Sequence, residues 1–123
     1  KKPMYVGIYQ VGPQQRSLSG KQIEELAHLS GTTPEEYIAD QMVYPANLLA
    51  KNISGYALCE FTIDKEGVIL RPHILKATHS EFAEEALRIV KGMPKWSPAL
   101  AGGKPTDSNY TLYIPFRPKL YKP

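Results

Sequence analysis

Hydrophobic and polar residues alternate most cleanly near the end of the chain. Over 109–116, Tyr110, Leu112, Ile114 and Phe116 fall on one side, and Asn109, Thr111, Tyr113 and Pro115 on the other. A period of two is that of a strand with one buried face. A similar strand follows Gly55: Ala57, Cys59, Phe61 and Ile63 share one face, and Tyr56, Leu58, Glu60 and Thr62 the other. Asp64-Lys-Glu-Gly67 then reads as a hairpin turn, with Gly67 at a position suited to left-handed backbone. The return strand spans 68–77 and is interrupted by Pro72. Next the period turns helical, with Phe82, Ala86, Ile89 and Val90 on one side of a helix over 81–91. Thr78-His-Ser-Glu81 predicts a capping box at its start, and Gly92 with Pro94 its end.

Upstream, Thr33-Pro34-Glu35-Glu36 starts a helix over 34–43, with Pro at the first helical position and Glu closing the box. Ile38 and Met42 share its inner face. Tyr44-Pro45 breaks it, because the residue before a proline is pushed towards extended backbone. A short helical turn over 46–51 follows. Ser19-Gly-Lys-Gln22 has the form of another capping box and predicts a helix through Ile23, Leu26 and Ala27, ended by Ser30-Gly31. Residues 4–11 have strand composition, weakened by Gly7, and 12–19 reads as a loop.

The order is ββαβ, preceded by helices. Prolines 72 and 115 favour edges, whereas 56–63 has none and belongs in the centre. The predicted fold class is α+β: a three-stranded antiparallel sheet in the order 2-1-3, covered on one face by helices 81–91 and 34–43. The strand at 109–117 is then an edge strand, whose outer backbone groups can accept another strand. Residues 34–118 form the domain. Residues 1–33 are an N-terminal extension, a strand plus a helix, packed on it or leading into it, and 119–123 are a tail.

Composition narrows the chemistry. With 123 residues, 42% hydrophobic and 22% charged, the chain is long enough for one core without staples. A net charge of +3, from 15 basic and 12 acidic residues without a dense basic run, argues against nucleic acid. Lys95 beside Trp96 makes no basic aromatic platform; Trp96 reads as a packing residue over the sheet. Cys59 is the single cysteine, on the inward face of its strand, so no intrachain disulfide forms. His28, His73 and His79 have no metal-ligand spacing. Gly102-Gly103-Lys104 lacks the first glycine and the Ser/Thr of a phosphate loop. Asp64 and Glu66 flank a turn and read as solvated. The expectation is no metal, no cofactor and no catalysis. No apolar run approaches the ~20 residues of a membrane span, and the start at Lys1 suggests a piece of a longer protein whose anchor lies upstream.

The same residues resemble one known family, the carboxy-terminal domain of TonB, the bacterial energy transducer. Its pattern is matched by Tyr44-Pro45, Gly55, the turn from Asp64 to Gly67, helix 81–91, Met93-Pro94-Lys95-Trp96-Ser97-Pro98, Gly103-Lys104-Pro105 and Phe116-Arg117. The match covers about 35–118 in order and spacing, and the Pro-Lys-Trp form is similar to members from the Bacteroides group. The chain departs from the pattern in having Thr106-Asp-Ser-Asn109 where the family alternates Val with basic residues. Its strand proline, Pro115, also lies two residues late, with Tyr113 at the family's position.

The resemblance implies a periplasmic domain tethered to the inner membrane through an N-terminal segment that also meets proton-driven motor proteins. It would grip the TonB box, a short segment of an outer-membrane TonB-dependent receptor, by strand addition, and so drive nutrient uptake. The expected binding residues are Asn109, Tyr110, Thr111, Leu112, Tyr113 and Ile114. Tyr44, Pro45, Gly55, Gly67, Pro94 and Trp96 are expected to be structural. An open edge also permits a homodimer. A second reading keeps the fold and makes the chain a sensory or ligand-binding module of another envelope protein, such as a membrane sensor peptidase.

Overall fold

The structure, a computed structural model, describes residues 14–17 and 23–121. Its elements in chain order are β1 (Gln14–Ser17), β2 (His28–Leu29), α1 (Pro34–Gln41), α2 (Ala46–Ala50), β3 (Gly55–Ile63), β4 (Ile69–Ala77), α3 (Ser80–Lys91), β5 (Trp96–Ser97), β6 (Ala99–Ala101), β7 (Lys104–Thr106), β8 (Ser108–Phe116) and a closing 3-10 turn (Pro118–Leu120). The expected strand at 4–11 lies outside the described residues.

The main sheet has the order β1-β8-β3-β4, antiparallel throughout. Its core order β4-β3-β8 is the predicted 2-1-3. Strand β3 pairs with β8 in unbroken register, from Gly55 opposite Phe116 to Ile63 opposite Ser108. The alternation read in the sequence holds: Ala57, Cys59, Phe61, Ile63, Tyr110, Leu112, Ile114 and Phe116 are all buried. The turn after β3 forms because the Asp64 carboxylate accepts from the N–H groups of Glu66 (2.8 Å) and Val68 (2.9 Å), while Gly67 takes φ 85°. Strand β4 is irregular. Its register shifts twice against β3, Arg71 has φ 53° and Pro72 lacks an N–H, so this outer edge is blunted.

Helix α3 packs on β3 and β4 through Phe82, Ala86, Ile89 and Val90, and Ile38, Ala39 and Met42 of the α1 segment join the same core. Thr33 caps α1 as expected, its hydroxyl accepting from Glu36 N–H at 3.1 Å. The two helices are clasped by Glu85 and Arg88. Glu85 accepts from the Val43 N–H (2.7 Å) and from two guanidinium nitrogens of Arg88, which also donates to the Gln41 carbonyl (2.6 Å). Its bonds to Glu85 hold Arg88 above the usual arginine range and outweigh the burial that disfavours the charged guanidinium.

Four expectations are corrected. The capping box at Thr78 does not form: His79 is the N-cap without a side-chain bond, and Thr78 instead accepts from Tyr56 N–H (3.0 Å), tying the helix to β3. The helix through 23–29 is replaced by extended chain. Glu24 and Glu25 bond Leu100, and β2 pairs with β5. The backbone groups of 96–101 need partners, and an extended segment supplies them. Residues 14–17 within the expected loop form β1. Finally, β8 is not an edge along its whole length, because β1 lies on its outer side. Main-chain pairing is indifferent to side chain, so a polar segment with weak strand composition still adds to an open ladder.

Candidate functional site

All six residues expected at the binding edge lie on β8. Tyr110, Leu112 and Ile114 point into the core and fix the strand; Asn109, Thr111 and Tyr113 are half-buried on the opposite face. There Asn109 accepts from the Thr62 hydroxyl at 2.8 Å, and Tyr113 stacks on Tyr56 with ring centroids 5.4 Å apart. Glu60 and His73 pair beside them at 3.1 Å, and Arg71 donates to Thr62. These groups bond one another across β4, β3 and β8 and stiffen the sheet behind the edge.

The direction of the backbone follows from Tyr56. Its N–H is bonded by Thr78 Oγ1 and its carbonyl by the Thr78 N–H, on the β4 side. Tyr56 therefore spends neither group on Pro115, its partner in β8. Antiparallel ladders alternate, so Asn109, Thr111, Tyr113 and Pro115 all turn their backbone groups away from β3. This is why Pro115 fits inside a strand: its missing N–H costs the β3–β8 ladder nothing. The outward row is the side on which a further strand adds. Strand β1 already does so, with Gln14 opposite Thr111, Gln15 opposite Tyr110, Arg16 opposite Asn109 and Ser17 opposite Ser108. No motif marked β1 in advance.

Most of the expected structural residues hold the two ends of β8. At the Phe116 end, Tyr44 is buried edge-on to Phe82 and Phe116, and its hydroxyl donates to the Ile53 carbonyl at 2.6 Å. Burial pushes that phenol up to about 12. Pro45 caps α2, and its carbonyl accepts from Leu48 and Leu49. A Cβ on Gly55 would strike Thr78 Oγ1 and the Phe82 ring, which stacks on Phe116 at 4.1 Å. At the other end, Trp96 packs edge-on to Tyr110 (4.6 Å) and Phe61 (5.8 Å). The Trp96 N–H donates to the Gly67 carbonyl at 2.9 Å, and a Cβ on Gly67 would collide with the Trp96 carbonyl. Exposed Pro94 leads from the helix end into β5. Downstream, Gly102 (φ 62°) and Gly103 (φ 75°) turn β6 into β7.

The fold is shared with a solved structure. The structure of the TonB2 protein from Vibrio anguillarum superposes with a TM-score of 0.50 at 20% identity, over 76% of this chain and 82% of that one, which shows a common fold. No curated protein sequence matches the chain. Residues 40–118, which carry both clamps and the whole of β8, match the family described as Gram-negative bacterial TonB protein C-terminal. The chain belongs to that family.

Proposed function

We propose that this chain is the periplasmic interaction domain of a TonB-like energy transducer. It binds a short extended segment of an outer-membrane TonB-dependent receptor by adding it as a strand to β8. The observation that carries the reading is the outward backbone row of β8, which already takes up an added strand along 108–111. Asn109, Thr111 and Tyr113 present the main chain; Tyr110, Leu112 and Ile114 hold the strand to the core. Family membership supports the class of partner. The force would come from inner-membrane motor proteins through a tether upstream, and nutrient uptake would be the outcome.

The test is titration with synthetic peptides covering the amino-terminal segments of outer-membrane receptors. Tyr113→Pro removes one outward donor and leaves the β3 ladder intact, as Pro115 does in the same row. It should weaken binding on the order of tenfold, the worth of about one hydrogen bond and its geometry. Tyr113→Ala should change it far less. A folded Tyr113→Pro variant that binds these peptides like the parent excludes this edge.

A further inference from the structure

We infer that β1 is a resident strand that competes with the receptor segment for the same edge, so that binding requires its displacement. The inference rests on the receptor-binding reading above. Strand β1 covers Asn109, Tyr110 and Thr111, half of the proposed binding stretch. Each outward N–H and C=O makes one ladder bond, so host and guest cannot both occupy that part of the row.

Three features make β1 displaceable. It spans four residues, whereas β3 and β8 pair over nine. It is outermost in the sheet and pairs with β8 alone, so its opening breaks no other ladder of the sheet. Its sequence, Gln-Gln-Arg-Ser, holds no β-branched or aromatic residue, while β8 is rich in them. A fourth strand built to stay would have the composition of β8. A weak one shields the open backbone from chance pairing and yields to a better guest.

Two variants of the 123-residue chain test this against the same receptor peptides. Gln14→Pro with Arg16→Pro removes both β1 donors that face the outward row and leaves β8 unchanged. If β1 is seated about nine-tenths of the time, the apparent Kd should fall about tenfold. Ser17→Cys with Ser108→Cys joins a non-hydrogen-bonded pair, whose close Cα atoms suit a disulfide. Once oxidised it should lose at least about tenfold in affinity and regain it on reduction. Equal affinity in the proline variant and the parent overturns the inference, as does undiminished binding by the oxidised form or a crosslink that joins two copies. Amide exchange at Asn109 and Thr111 gives a readout without guest. It should speed up in the proline variant, and equal exchange in both proteins means that β1 is not seated. If the folded proline variant binds no receptor peptide although its exchange has accelerated, the receptor reading fails, and the competition with it.

Discussion

Trp96 shows how one side chain couples the turn, the sheet and the segment after α3. Its ring is buried against Phe61 and Tyr110, its backbone is bonded to Gly67, and its indole Nε1 is buried without a partner among the described residues. Trp96→Ala should cost about 3–5 kcal/mol in urea unfolding, as large core truncations do. Trp96→Phe should cost clearly less, because it keeps an aromatic ring and removes an unpaired donor. Cys59 gives a pH dependence. Burial pushes its thiol from 9.0 up to about 12, so the folded state keeps the proton that the unfolded state releases. Its contribution is complete below pH 9 and is lost as pH rises from 9 towards 12, at up to about 1.4 kcal/mol per pH unit. Stability curves of the parent and Cys59→Ala should therefore converge above pH 9; parallel curves exclude the assignment. The burial of Cys59 and Trp96 was legible in the sequence, from strand alternation and from a Trp set between prolines. The clasp made by Glu85 was not. A glutamate on an amphipathic helix reads as a solvated face paired at most with its i,i+3 neighbour Arg88, and only the docking of α1 reveals that the carboxylate accepts from the Val43 N–H and that Arg88 reaches the Gln41 carbonyl.

At the scale of elements, local signals located what local physics decides. The turn after β3, helix α3 and the alternation of β8 carry their own periodicity and punctuation, and they fall within a residue or two of expectation. Residues 23–29 were misread because Ile23, Leu26 and Ala27 satisfy a helical spacing too short to exclude a strand. Burial has period two there: Ala27 and Leu29 are buried while Leu26 is 55% exposed. Leu29→Ala should cost about 2–5 kcal/mol, and Leu26→Ala at most about 0.5 kcal/mol. The reverse order in thermal or urea unfolding would restore the helix. Strand β1 left no trace in the sequence, because its bonds are made by main chain. Strand β8 was therefore legible; the strand paired on its outer side was not.

For the whole molecule, the two flanks of the sheet differ in kind. One is the β8 side, covered by β1 over 108–111 and with its outward row free of β1 beyond; the other is β4, broken by register shifts, Arg71 and Pro72. Two copies that meet through β8 should form a dimer, and receptor peptide should dissolve it by competing for the same row. Sedimentation over a concentration series checks this: species beyond the dimer, or a dimer indifferent to peptide, would place the contact elsewhere. The blunted β4 flank makes the domain monovalent as a sheet. Strand addition would then terminate after a single step, and crowded copies of the domain would give pairs rather than growing ribbons.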